Sequence, residues 1–356
     1  MLKKDKIWRI PLWTLFLLLA LAILGAGCQL NSSNPQARHG AKMIFDPVGK
    51  QVIMFGGRGN GGVVGDLYND LWKLDLDTHR WKEIDVSSGP SPRLSAGLVY
   101  DPSHHQMILF GGYRNQGRVN DTWLFDLNNF EWEEITPALS PSARSDMGMA
   151  YDKSNQIVVM FGGYCLEHQR DYCKDTWIFD PAAQTWSEMD PETSPPVMYG
   201  HTLDYDSEND QFLLWGGHMS DIDGGNMSSA GYNDSVWSYS VADNQWLKIP
   251  PGNQSHPTAR YWHQTAYVSG YPGLLVFGGD GGYSILADTW LFDLESESWT
   301  RKRSDLTPPA RIVGSAVYSS EYGQVILFGG LDNDYSNLND TWVYSEITGE
   351  WEKISR

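Results

Sequence analysis

The sequence has little positive charge. Its 26 lysine and arginine residues face 44 acidic residues, which leaves a formal net charge of −18 over 356 residues. Four of the cations, Lys3, Lys4, Lys6 and Arg9, lie in the first nine residues, so the rest of the chain is more acidic still. A negative field of this strength repels phosphate backbones. The composition therefore argues against a nucleic acid as partner and leaves neutral or cationic partners.

Cysteine is also scarce, with three residues in the whole chain. Two of them, Cys165 and Cys173, lie eight positions apart in one segment. In an oxidising compartment, a disulfide between two such neighbours is the expected arrangement. A metal site would need more ligands than the nearby His168. We therefore predict a disulfide here and no metal site.

Long apolar runs are absent except at the N-terminus, where residues 12–24 are apolar apart from Thr14. Basic residues precede this run and small residues ending in Cys28 follow it, which is the order of an export signal. The segment resembles a bacterial lipoprotein signal, with Cys28 as the lipidated residue, although Leu24 stands four residues before the cysteine instead of three. An uncleaved helical membrane anchor is the alternative, because residues 10–26 nearly reach spanning length. We expect an extracytoplasmic protein, anchored or secreted, with this signal or anchor over 1–28 and a polar tether over 29–37.

The rest of the chain repeats one unit six times. An apolar run ending in two glycines recurs, with the first glycine at Gly56, Gly111, Gly162, Gly216, Gly278 and Gly329. An Asp-x-Trp element follows each run, with one extra residue in the fourth copy, and a second tryptophan always stands nine residues after the first. The pairs are Trp72 and Trp81, Trp123 and Trp132, Trp177 and Trp186, Trp237 and Trp246, Trp290 and Trp299, and Trp342 and Trp351.

Each unit reads as four strands, and a sheet of this size cannot bury its own faces, so the units must stack around an axis. The units resemble kelch repeats, whose signature is the Gly-Gly strand end followed by two spaced aromatic residues. The resemblance implies an all-β, six-bladed kelch-type β-propeller with four antiparallel strands per blade. We expect it over 38–356, closed by packing of blade 6 on blade 1 without strand exchange. The predicted blades are 38–86, 93–136, 144–190, 198–250, 260–303 and 311–356.

An arginine opens the first strand of five units, and Met198 replaces it in the fourth. These arginines are Arg38, Arg93, Arg144, Arg260 and Arg311. In peptide-binding kelch domains, arginines at this repeat position contact acidic ligands, so the resemblance implies a ring of them at the mouth of the propeller. The alternative, which we favour for most of them, is pairing with aspartates of neighbouring blades such as Asp121 or Asp288, since a residue repeated five times usually serves the repeat.

The long loops between the second and third strands gather on the same face as these arginines, and binding sites usually lie on such loops. Their aromatic residues suit sugar stacking and protein contacts equally. These residues are Tyr113, Tyr164, Tyr232, Tyr283 and Tyr335. We therefore predict a monomeric scaffold that binds a protein, peptide or glycan through this face.

Blades 4 and 5 differ from the others. Tyr199 and His201 occupy the same register as Tyr261 and His263 on the next blade, and His218 follows a Gly-Gly pair. The set resembles the copper sites of kelch oxidases, and imidazole and phenolate suit Cu(II). The cysteine that those oxidases also need is missing here if Cys165 is in a disulfide. A carbohydrate-active enzyme, copper radical oxidase-like or sialic-acid epimerase-like, is thus the alternative function.

No diagnostic residue set supports the epimerase resemblance, and the Ser-x-Asp-x-Gly-x-x-Trp boxes of six-bladed sialidases are absent. Two loops, 332–336 and 221–226, place Asp and Asn at alternate positions, as calcium ligands are often spaced. Asp and Asn are also ordinary turn residues, and we favour that interpretation. We predict no catalytic residue and no cofactor, with calcium and copper as the disfavoured alternatives.

Overall fold

A computed structural model describes residues 34–167, 170–219, 231–250 and 255–355. They form six antiparallel sheets of four main strands each, arranged around one axis, which confirms the all-β six-bladed propeller. The only helical segment in these ranges is the short 3-10 turn Gly62–Val64. In this part of the chain, no helix has the length and apolar character needed to cross a membrane. The predicted signal or anchor over 1–28, with Cys28, lies outside the described residues.

The first three blades account for strands β1 to β16. Blade 1 contains β1 (Arg38–His39), β2 (Lys42–Asp46), β3 (Gln51–Gly59), β4 (Asp66–Asp75) and β5 (Arg80–Ile84). Blade 2 contains β6 (Gly97–Asp101), β7 (Gln106–Phe110), a loop hairpin of β8 (Tyr113–Arg114) and β9 (Gly117–Arg118), β10 (Thr122–Asp126) and β11 (Glu131–Ile135). Blade 3 contains β12 (Arg144–Ser145), β13 (Gly148–Asp152), β14 (Ile157–Glu167), β15 (Arg170–Asp180) and β16 (Thr185–Met189).

The last three blades account for strands β17 to β30. Blade 4 contains β17 (Met198–Tyr199), β18 (Thr202–Asp206), β19 (Gln211–Trp215), β20 (His218–Met219), β21 (Val236–Ser240) and β22 (Gln245–Ile249). Blade 5 contains β23 (Gln264–Val268), β24 (Gly273–Phe277), β25 (Thr289–Asp293) and β26 (Ser298–Lys302). Blade 6 contains β27 (Ser315–Ser319), β28 (Gln324–Phe328), β29 (Thr341–Ser345) and β30 (Trp351–Ser355).

Each sheet is built from one continuous segment of the chain, so the ring closes without strand exchange, as expected. The first main strand of each blade lies innermost, and these inner strands contact one another around the ring, including blade 6 with blade 1. The apolar runs form the second strands and are buried on both faces, because each sheet packs between two others. Each hydrophobic cluster therefore joins two neighbouring blades.

The second tryptophan of a blade links it to the preceding blade. In four copies its indole Nε1–H donates to the threonine inside the preceding blade's Asp-x-Trp element, over 2.9–3.1 Å. The pairs are Trp81 with Thr341, Trp186 with Thr122, Trp246 with Thr176, and Trp351 with Thr289. Blade 1 has Leu71 at this position, and the Nε1 of Trp132 has no hydrogen-bond partner within the described ranges.

A ring of backbone hydrogen bonds surrounds the axis at the loop-face end of the inner strands. One residue per blade has a positive φ there, and its N–H donates to the carbonyl of the equivalent residue in the preceding blade, over 2.8–3.0 Å. The six residues are Gly40, Ser95, Asp146, Gly200, Trp262 and Val313. The bond from Gly40 to Val313 closes this ring between blades 1 and 6.

Candidate functional site

The five repeated arginines lie inside the blades, each at most 1% exposed. Each guanidinium binds both carboxylate oxygens of one aspartate through Nη1 and Nη2, and the Nη1–O distance is 2.5–2.8 Å. Nη1 also donates to the carbonyl of the first glycine in the Gly-Gly pair. The pairs are Arg38 with Asp70, Arg93 with Asp121, Arg144 with Asp175, Arg260 with Asp288, and Arg311 with Asp340.

The expected pairing with neighbouring blades is corrected by these contacts, because every partner aspartate belongs to the arginine's own blade. The reason is geometric: the Gly-Gly pair and the aspartate stand at the same level on the adjacent second and third strands of one sheet. In blades 1 and 3 both lie at a register shift inside those strands, and in blades 2, 5 and 6 the glycines follow the second strand and the aspartate precedes the third. The aspartate also accepts from the Nε1–H of its own Asp-x-Trp tryptophan. Burial alone would raise the pKa of Asp340, but the hydrogen bond and charge of Arg311 outweigh it and lower that pKa.

Blade 4 replaces this network with a different one. Met198 stands in the arginine's place, and the side-chain amide of Asn233 donates to the carbonyl of Gly216 over 3.2 Å instead. Trp215 occupies the position that is phenylalanine in the other five second strands, and its Nε1–H donates to the carbonyl of Asp234. Asn233 and Asp234 of this longer element thus supply hydrogen-bond partners within the blade.

Seven aromatic rings of blades 3, 4 and 5 form one connected cluster on the loop face, which we call the aromatic patch. Each ring centroid lies 4.4–5.9 Å from at least one other in the cluster. Its members are Tyr164, Tyr172, Tyr199, His218, Tyr232, Tyr261 and Trp262. All seven are partly exposed, so a bound molecule can reach them.

Cross-strand pairing places these rings. Tyr164 stands opposite Tyr172 in the β14–β15 hairpin, and Tyr199 stands opposite His218 between β17 and β20. His218 also forms a β-bridge with Tyr232. Residues directly opposite each other on two strands have their side chains close together, which is why the rings touch. Five of the seven were selected from the sequence, and the structure brings these five together: Tyr164, Tyr199, His218, Tyr232 and Tyr261.

The aromatic patch is neutral but carries a charge at each end. The Arg118 guanidinium carbon lies 3.5 Å from the ring centroid of Tyr164 and 5.4 Å from that of Tyr113. At the other end, burial and the nearby charge of Asp280 both raise the pKa of Tyr261. Burial lowers the pKa of His218 despite the same carboxylate. The Tyr261 phenol and the His218 imidazole are therefore uncharged at neutral pH.

His201 and His263 lie apart from the aromatic patch, buried between blades at 5% exposure each. Nε2 of His201 is 3.1 Å from both the Gly148 amide nitrogen and the Phe161 carbonyl oxygen, and Nε2 of His263 is 3.2 Å from Thr202 Oγ1. Burial lowers the pKa of His201 to about 4. The tyrosine–histidine set suggested for copper is thus divided between two places.

The described ranges contain no group of three or more His, Cys, Asp or Glu residues placed to hold a metal ion. Asp332 Oδ1 accepts from the amides of Asp334 and Ser336, both over 2.9 Å, as in an ordinary turn. The second calcium-like loop, 221–226, lies outside the described residues. Tyr283 and Tyr335, both exposed, are on separate loops of blades 5 and 6 and have no ring contact with the aromatic patch in the described residues.

Four residues of this site were not predicted from the sequence: Tyr172, Trp262, Arg118 and Asp280. Trp262 lies beside Tyr261, a predicted site residue, and Tyr172 precedes Cys173, a predicted disulfide residue. These neighbours could have indicated both rings. Arg118 and Asp280 lie in loops that differ from blade to blade, and neither has an equivalent in the repeat.

The structure contains a disulfide between Cys165 and Cys173, with the Cα atoms 5.9 Å apart. Each cysteine follows one member of the Tyr164–Tyr172 pair. We expect the double variant Cys165→Ser/Cys173→Ser to lose about 2–3 kcal/mol of unfolding free energy, because the cross-link restricts the unfolded chain. Urea denaturation measures this loss, with Cys28→Ser as the control that keeps the disulfide. Equal stability of the two variants would contradict the prediction.

A closed ring of six sheets with its long loops on one face defines a repeat β-propeller. The family model described as the KLHDC2/KLHL20/DRC7 Kelch-repeats domain matches residues 27–197 and 156–356, and the chain belongs to this Kelch-repeat family. Kelch-repeat propellers typically serve as scaffolds for protein interactions.

Several curated proteins are similar over most of this chain. Kelch domain-containing protein 2 of Bos taurus is 26% identical over 332 residues, which cover 84% of this chain and 77% of that protein. Kelch domain-containing protein 10 of Xenopus tropicalis is 24% identical over 323 residues, 85% of this chain and 74% of that protein. Multiple epidermal growth factor-like domains protein 8 of Mus musculus is 25% identical over 293 residues, 80% of this chain but 10% of that protein.

Proposed function

We propose that this chain is an extracytoplasmic binding scaffold that holds a protein or peptide on its loop face, with the aromatic patch at the centre of the contact. The observation that supports this most is the continuity of the patch over three blades. The four-stranded architecture does not require it, because the equivalent face of blades 1, 2 and 6 carries no such cluster in the described residues.

The chemistry of the aromatic patch suits a polypeptide. Tyrosine, tryptophan and arginine are the residues that most often dominate the binding energy of protein interfaces. The phenol and indole groups present apolar faces together with hydrogen-bond donors at their edges. Arg118 at one end and Asp280 at the other favour a segment with an acidic group near blade 3 and a basic group near blade 5.

The proposal is tested by selecting peptides from a random display library on the full chain in detergent. We expect Tyr199→Ala to weaken binding of the selected peptides by about 30-fold, because Tyr199 touches five other rings of the aromatic patch. Tyr271→Ala is the matched control, since Tyr271 is 49% exposed in a turn on the opposite face. Binding is measured by fluorescence anisotropy and folding by circular dichroism.

Two outcomes would count against this proposal. One is selected peptides that bind Tyr199→Ala as tightly as the unaltered chain. The other is a glycan array that yields ligands dependent on Tyr199 while the peptide selection yields none, because stacked rings also bind sugars. That second result would keep the aromatic patch as the site but replace the class of partner.

A further inference from the structure

The inner strands of all six blades enclose a cavity of about 530 Å³ on the propeller axis, which we call the channel. Its lining begins directly below the backbone hydrogen-bond ring and continues to the turns between first and second strands, where Pro47, Pro102 and Lys153 border it. The channel therefore opens on the face opposite the aromatic patch. It is separate from the aromatic patch, and what we infer from it does not depend on the proposed function.

Two channel residues break the repeat. Lys42 on blade 1 lies at a register position that is uncharged in every other blade, occupied by Gly97, Gly148, Thr202, Gln264 and Ser315. Asp204 on blade 4 lies two positions further along its strand, where the other blades are apolar, with Ile44, Val99, Ala150, Ala266 and Val317. Blades 1 and 4 face each other across a six-bladed ring, so one cation and one anion line opposite walls of the channel.

The Lys42 amine has no hydrogen bond or ion pair with any residue in the described ranges. Lys42 lines the channel. Burial, and to a smaller extent the charge of Lys42, lower the pKa of His201 on blade 4. Burial also lowers the pKa of Lys42 itself, and the charge of Asp146 raises it in part. Lys42 is half-buried, and an ammonium partly removed from water without a partner is costly. A bound carboxylate would offset this cost.

Asp204 is also without a cation among the residues that the structure describes. Its side chain accepts hydrogen bonds from the Thr265 hydroxyl, over 2.5 Å, and from the Tyr267 backbone amide. Burial raises its pKa to about 6, so the carboxylate is mainly ionised at neutral pH. Near the level of Lys42, the Gln264 side-chain oxygen is buried and has no partner in the described ranges. The channel wall thus holds an unpaired cation, an unpaired anion and a free acceptor.

We propose that the channel binds a small zwitterion of the amino-carboxylate class, with its carboxylate at Lys42 and its ammonium at Asp204. A simple anion would pair with Lys42 but would bring a second negative charge near Asp204. A simple cation would pair with Asp204 but would bring a second positive charge near Lys42. The two positions differ by about 6.6 Å along the strand direction. A molecule that bridges them must also cross the width of the channel, so the length that fits is found by comparing zwitterions with different charge separations.

The experiment titrates the full chain in detergent with the α-amino acids, β-alanine, γ-aminobutyrate and glycylglycine, which differ in the separation of their charges. Propionate and propylamine are the single-charge controls. Binding is measured by calorimetry and by the shift in Tm. We expect at least one zwitterion to bind, neither single-charge probe to do so, and Lys42→Met and Asp204→Asn each to weaken binding at least tenfold.

Exposed residues of blade 4 provide matched controls, Lys248→Met and Asp243→Asn, which should leave binding unchanged. Without ligand, Lys42→Met should keep or raise Tm, because it removes an unpaired, half-buried charge. Asp204→Asn retains an oxygen for the Thr265 hydroxyl and should also fold. Failure of every zwitterion to bind, binding of propionate alone at equal affinity, or equal binding by Lys42→Met and Lys248→Met would each overturn the proposal.

Discussion

Replacing Arg311 with methionine is expected to lower the free energy of unfolding by about 3–5 kcal/mol. The guanidinium donates to both carboxylate oxygens of Asp340 and to the carbonyl of Gly329, all within 2.9 Å. Asp340 is the most buried of the five partner aspartates, with a side chain 8% exposed. The variant leaves that carboxylate without its cation and the carbonyl without its donor. Denaturant unfolding measures the loss.

Blade 4 shows why methionine is tolerated at one position only. Met198 has Asn233 beside it to bind the glycine carbonyl, and blade 6 has no such substitute in the described residues. Arg301→Met, on an exposed outer-strand arginine, is the matched control and should change stability little. The double variant Arg311→Met/Asp340→Leu should recover part of the loss, because it removes both charges. A loss below 1 kcal/mol for Arg311→Met would contradict this view of the repeated arginines.

Truncating Trp81 to alanine is expected to have a comparable effect, about 3–5 kcal/mol, through the closure of the ring. The indole is 5% exposed and its ring centroid lies 5.2 Å from that of Phe328 on blade 6. Its Nε1–H donates to Thr341 Oγ1 over 3.0 Å. Because no strand is exchanged, the junction of blades 6 and 1 depends on such side-chain contacts together with a few backbone hydrogen bonds.

Trp81→Phe separates the two contributions, since it keeps an aromatic ring but loses the hydrogen bond, worth about 1 kcal/mol. Trp186→Ala removes the same contacts between blades 2 and 3 and shows whether the closing junction differs from an internal one. Limited proteolysis of Trp81→Ala should cut first near blade 1. Retention of stability by the alanine variant would show that ring closure does not depend on Trp81.

The periodic part of the fold was predictable from the sequence, because the Gly-Gly pairs and spaced tryptophans mark the same strand positions in every blade. The arginine–aspartate pairing was also accessible as an interpretation, but the assignment to neighbouring blades was wrong. Which aspartate an arginine meets depends on which strand ends share a sheet edge. The repeat spacing alone does not contain that information.

The separation of Tyr199 from His201 was not predictable in the same way. Tyr199 and His201 were placed in one candidate site because they share their register with Tyr261 and His263 on the next blade. On a regular strand, residues two apart would also point to the same side. The intervening Gly200 has φ of +66°, and the equivalent Trp262 has φ of +54°. This turn of the backbone places each tyrosine on the loop face and each histidine between blades. A glycine at this position indicates that a positive φ is possible, whereas a tryptophan does not indicate it.

The ring of backbone hydrogen bonds also constrains how the propeller can move. Each of its six residues donates to one neighbour and accepts from the other, so the hydrogen-bond ring is closed and has no end at which fraying could start. Tilting a single blade outward would break bonds on both of its sides. The rim can widen without breaking these bonds only if all six blades turn together. Small molecules are therefore expected to enter the channel from the opposite face, while the loop face stays rigid.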